Sequence, residues 1–127
     1  MKLHCLFAAL SMASTALFSI APSAASAGPI GEWRVADGSA TVSIRPCGAG
    51  LCGFVATAKD HQASTVGRQV FFSLKPRGGH WSGTIVNIID GQHYAGHISL
   101  LGSQTLRVEG CVMGGMICGG QQWARVH

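Results

Sequence analysis

From residue 31 onward, short runs of β-branched and aromatic residues alternate with glycine-bearing turns. All 18 glycines lie beyond residue 27, where Val and Ile total 16 against five Leu. β-branched side chains are stiff at χ1 and pack well on a pleated surface, so this composition favours strands. No window of helical length shows a 3.6-residue period. The runs fall at residues 31–35, 40–45, 51–58, 69–74, 80–89, 92–101, 105–111 and 121–126. Several alternate cleanly, as where Val42 and Ile44 interleave with Thr41, Ser43 and Arg45. Leu106 and Val108 interleave in the same way with Arg107 and Glu109. Residues 59–67 are polar and read as a loop. Asp90-Gly91 is the strongest hairpin signal and predicts a two-residue type I′ turn, which needs positive φ at both positions.

Eight short strands joined by short turns predict an all-β antiparallel meander. Closing such a meander into an up-and-down barrel removes the edges that would otherwise template aggregation. A two-sheet β-sandwich is the alternative. An eight-stranded interior is either filled by side chains or holds one small ligand.

The first 27 residues read as an export signal. Lys2 and His4 precede an apolar run from Cys5 to Ile20, and Ala25-Ser26-Ala27 forms a small-x-small cleavage site. The apolar run is interrupted by Ser11, Ser14, Thr15 and Ser19, which makes it weak as a membrane span. Cys5 precedes this run and so is not placed as a lipid-anchor cysteine. Cleavage would make Gly28 the new N-terminus and leave residues 28–127 as a single domain, periplasmic or secreted, with no transmembrane segment. Without Lys2 that domain carries eight Lys and Arg against five Asp and Glu. It is too short for a TIM barrel or a Rossmann oxidoreductase. It is too apolar for a disordered tail and too sparsely basic for a nucleic-acid binder.

Four cysteines remain beyond the signal: Cys47, Cys52, Cys111 and Cys118. An even count in a small exported domain reads as two disulfides. Both cysteine pairs flank loops between strand-like runs, and both end in aliphatic-Cys-Gly. This predicts Cys47–Cys52 and Cys111–Cys118, although three connectivities are open to four cysteines. The spacings suit zinc poorly, and an oxidising compartment opposes free thiolates.

Gly31-Glu32-Trp33 opens the first run and Trp123-Ala124-Arg125 ends the last. This resembles the lipocalin (calycin) signature, in which an arginine packs over a tryptophan and closes one end of the barrel. The matching residues here are Gly31, Trp33 and Arg125. A wider pattern takes in Asp37-Gly38, the 47–53 loop, Trp81-Ser82-Gly83-Thr84-Ile85, Asp90-Gly91-Gln92-His93-Tyr94 and residues 106–111. It continues through Ile117-Cys118-Gly119 to Gln122-Trp123. The whole is similar to the exported bacterial proteins grouped as domain-of-unknown-function family 2147. That resemblance implies a lipocalin-like periplasmic barrel and no particular activity. The chain departs from the family pattern at Val86-Asn87-Ile88-Ile89, which lacks a proline before the Asp-Gly turn and so implies a longer hairpin.

Chemistry-bearing motifs are scarce. There is no G-x-S-x-G, P-loop, H-E-x-x-H or G-x-G-x-x-G sequence. Asp37, Asp60 and Asp90 sit in turns, where Asp commonly bonds its own backbone. His93 and His97 lie on one predicted strand, where a four-residue step spans roughly 13 Å, so the two cannot share a metal ion without a third element. We therefore expect neither catalysis nor a cofactor or metal. The aromatics are the functional lead. Phe54, Phe71, Phe72, Trp81 and Tyr94 fall on predicted strands, and small residues such as Gly83, Ala95 and Gly96 either leave space beside them or only ease strand bending. Phe54, Phe71, Trp81, Tyr94 and Ile98 form the expected lining of a pocket for an apolar small molecule or lipid. The competing expectation is a filled core serving an envelope interaction module, with an exposed apolar patch near residues 112–117.

Overall fold

The computed structural model describes residues 14–16 and 28–127. The expected export signal and its cleavage site lie almost wholly outside the described residues. Eight strands follow in order: β1 (Gly31–Arg34), β2 (Ala40–Cys47), β3 (Gly50–Ala58), β4 (Gln69–Arg77), β5 (His80–Val86), β6 (His93–Leu100), β7 (Thr105–Val112) and β8 (Ile117–Arg125). Each pairs antiparallel with its neighbour, and β8 returns to β1 to close the barrel. Among the described residues, helical structure is confined to two 3-10 segments, Asp60–Thr65 and Met113–Gly115.

Because the chain goes up and down, its connections fall into two sets. The turns 35–39, 59–68, 87–92 and 113–116 ring one end, which we term the mouth. The β2–β3, β4–β5 and β6–β7 turns and the segments flanking β1 and β8 ring the other end, the floor. Core residues are the inward members of each alternating pair. Trp33, Phe71, Leu74, Ile98 and Leu106 are fully buried in the barrel interior.

Several boundaries differ from those read in the sequence. The expected type I′ turn at Asp90-Gly91 does not form. Gly91 has positive φ (73°), but Asp90 does not join it there. The β5–β6 ladder ends at Val86 and His93, so the missing proline does not extend it through Ile88 and Ile89. The connection is instead closed by Asn87 N–H donating to Gln92 O (2.9 Å) and Gly91 N–H donating to Asn87 O (2.7 Å). The Asn87 and Asp90 side chains accept from Ile89 and Gln92 N–H and hold this wider loop. β8 starts at Ile117, four residues before the expected start at Gln121. Its polar, glycine-rich beginning is held by pairing to β7 rather than by strand propensity. The polar 59–67 stretch contains the first 3-10 segment.

Candidate functional site

The floor is built around Trp33. Its indole N–H donates to Pro29 O (2.8 Å), and it pairs with Arg125 across the closing β1–β8 contact. The Arg125 guanidinium lies 4.3 Å from the Trp33 ring and donates to Ser103 O (2.7 Å), Ile30 O (2.9 Å) and Gly28 O (3.0 Å). One side chain thus ties together the β6–β7 turn, the segment before β1 and the last strand. Gly31 is required by the same contact. A Cβ there would lie 2.6 Å from His127 O and 2.7 Å from Arg125 Nη1, at a φ of +144°. Gly31, Trp33 and Arg125 therefore meet in one plug, far from the mouth.

At the mouth the barrel is hollow. A cavity of about 390 Å³ opens there, within the size range of small-ligand sites. Val42, Val70, Ile85, Val108 and Trp123 give it apolar walls, and Val35, Asp37, Asn87 and Ile88 contribute from the turns above. Trp123 forms its base, stacked on the buried Phe71 ring at 5.5 Å. The Trp123 indole N–H donates to Gln121 Oε1 (2.8 Å), which satisfies the ring's polar atom beside the cavity.

Two members of a row of four glycines border this space. Gly83 pairs with Gly96, Gly96 with Gly110, and Gly110 with Gly119, so four adjacent strands present glycine to the interior at one level. The first two positions are already filled by neighbours. A Cβ on Gly83 would meet Leu74 Cδ2 at 2.8 Å, and one on Gly96 would meet Glu109 O at 2.7 Å. The last two border the cavity, and a Cβ on Gly119 would meet nothing within 4 Å.

Of the five side chains expected to line a pocket, Tyr94 alone lines this cavity. Phe71 supports its base from below. Ile98 is buried deeper, opposite Trp81 and Val108 in the ladders. Trp81 packs near the floor, with its Cζ2 3.9 Å from where a Gly28 Cβ would stand. Phe54 is on the outer wall, its ring 4.4 Å from the Arg45 guanidinium. The neighbours of Phe54, Gly53 and Val55, are the inward residues. Ala95 is exposed on the outside and leaves no room within. The residues that do form the cavity, including Val42, Val70, Val108 and Asp37, were not singled out as lining. Strand parity flags the valines in retrospect, while Asp37 carries no such signal.

Asp37 is the charged side chain of the cavity lining. It sits in the β1–β2 turn and accepts from Ser39 N–H (2.9 Å). Hydrogen bonds from the Ser39 hydroxyl and backbone N–H hold its pKa below the usual carboxylate value, with a smaller contribution from Lys59. Outside the barrel, Glu109 takes hydrogen bonds from Arg107 and from His97 (2.8 Å), and its pKa too is lowered, chiefly by Arg107. His97 tilts against His80 at 5.3 Å, and His93 stacks on Phe72 at 6.2 Å. Among the described residues no three His, Cys, Asp or Glu side chains are grouped to hold a metal ion. The disulfides are Cys47–Cys52, near the floor, and Cys111–Cys118, near the mouth.

A closed eight-stranded up-and-down barrel, plugged at one end by an arginine on a tryptophan and hollow at the other, defines a small lipocalin-like barrel protein. Over residues 31–125 the chain matches the family described as uncharacterized protein conserved in bacteria (DUF2147), and it belongs to that family. Searches of curated proteins and of solved structures found no match.

Proposed function

We propose that this protein binds an apolar small molecule or lipid in the mouth cavity and works without catalysis, as an exported protein of the cell envelope. The observation that carries this reading is the open cavity of about 390 Å³ with valine, isoleucine and tryptophan walls. Burying apolar ligand surface there would supply roughly 25 cal/mol per Å². Export is supported by the two disulfides, which persist in oxidising compartments. No helix of the described residues is long and apolar enough to cross a membrane. Native mass spectrometry of protein purified without denaturation tests the binding. A mass adduct that is lost on unfolding is expected, and an empty barrel under those conditions would overturn the reading.

A second reading, an interaction module, is favoured by one observation. Val112, Met113, Met116 and Ile117 are exposed beside the mouth, Met116 most of all at 85%. If this loop docks a partner, Met116→Ser with Ile117→Ser abolishes co-purification of that partner, and no small-molecule adduct is seen in the parent protein.

A further inference from the structure

The charge of the cavity rim limits which amphiphile can enter. We infer that the ligand is a neutral or cationic amphiphile, its apolar body lying against Trp123 and its hydroxyl or amine head donating to Asp37. This rests on the binding function proposed above and deepens it.

Among the described residues, no Lys, Arg or His lines the cavity. Lys59, the cation that acts on Asp37, bonds Ser39 O through its backbone N–H (2.9 Å) and lies outside the lining. Arg68 and His93 line a neighbouring depression, with Gln69 and Phe72, that shares Val86 and Ile88 with the cavity. A fatty acid or acidic lipid entering the mouth would therefore bring its anionic head to a like charge, with no cation among the described lining residues. An ionised carboxylate only accepts hydrogen bonds, so it selects a head group that donates. Ser39 keeps Asp37 in that form and fixes its orientation at the edge of the turn. Gln62, Tyr94 and Gln121 also line the cavity, but they are neutral and serve hydroxyl, ester or amide groups alike. Charge selectivity thus falls to Asp37.

The test is isothermal titration calorimetry at neutral pH with a matched set of probes: octylamine, octanol and octanoate. Octylamine is expected to bind more tightly than octanol by up to about fivefold, the upper end for one exposed ion pair, with octanoate weakest. Asp37→Asn keeps the acceptor that the Ser39 turn needs and removes the charge. In that variant the octylamine and octanol affinities should converge. Octanoate binding as tightly as octylamine would overturn the inference and leave cavity binding standing. An amine preference that survives Asp37→Asn would overturn the role of Asp37. Failure of all three probes would instead count against the cavity as a binding site.

Discussion

At the level of single residues, the molecule divides its glycines between those that avoid a collision and those that leave space. Gly31 avoids one, since a Cβ there would strike Arg125 and the C-terminal carbonyl. Gly119 leaves space, because a Cβ at that position meets nothing within 4 Å and the residue borders the cavity. Gly119→Leu should therefore fold normally and lose the bound adduct. Relief of the backbone-entropy cost of a strand glycine should raise stability by about 0.5 kcal/mol. Thermal denaturation and native mass spectrometry on the same sample check both halves. An adduct that persists would mean that the ligand does not occupy this cavity. Arg125 has the opposite character, serving three carbonyls and one aromatic face at once. Lysine keeps the charge but lacks the planar fork, so Arg125→Lys should cost about 1–2 kcal/mol, read as a lower denaturant midpoint. A midpoint equal to that of the parent would show that the charge alone closes the floor.

Among the elements, the outer face of β6 and β7 carries a charge ladder that answers to pH. Glu109 on β7 accepts from Arg107 on its own strand and from His97 on β6. Its folded-state pKa lies below its ordinary value of 4.5, owing first to the Arg107 hydrogen bond. A carboxylate with a depressed folded pKa stabilises the native state above its unfolded pKa. That contribution is lost as pH falls through the folded value. Glu109→Gln should therefore flatten the acid side of the stability profile, measured by urea unfolding from neutral pH downward. Asp37, shifted in the same direction, keeps part of the slope in this variant. Parallel acid limbs for parent and variant would remove Glu109 from the account. The strands themselves were readable because side-chain alternation is local: Val42 and Ile44 declare their face within a few residues. The Asp90-Gly91 turn was misread because its conformation depends on its flanks. Asn87 offers a side-chain acceptor to Ile89 N–H and stabilises a wider loop instead. The start of β8 was invisible because Gly119 and Gly120 carry no strand signal and are held by their partners Gly110 and Glu109.

The whole molecule has two unlike ends, and this polarity could not be read along the chain, because the cavity wall is assembled from residues on six strands and several turns. Its clearest consequence lies in the disulfides. Cys47–Cys52 closes the β2–β3 hairpin at the floor, and Cys111–Cys118 joins directly opposed residues of β7 and β8 near the mouth. Their sequence separations, 5 and 7, are nearly equal. By chain entropy each should therefore contribute a similar amount, about 2 kcal/mol. Cys47→Ser with Cys52→Ser and Cys111→Ser with Cys118→Ser should thus each lower the melting temperature by roughly 10 °C. Their effects on binding should differ. The floor pair is walled off from the cavity by Trp33, Phe71 and Leu74, all fully buried, so its removal should leave octanol affinity as in the parent. The mouth pair fixes the strand ends that carry Gly110, Gly119 and Gln121 into the lining, so its removal should weaken octanol binding several-fold. Calorimetry on the two double variants, below their melting temperatures, separates these outcomes. Equal losses of affinity would mean that binding follows global stability. A loss confined to the mouth variant would mean that the barrel uses one disulfide to hold its fold and the other to hold its cavity as well.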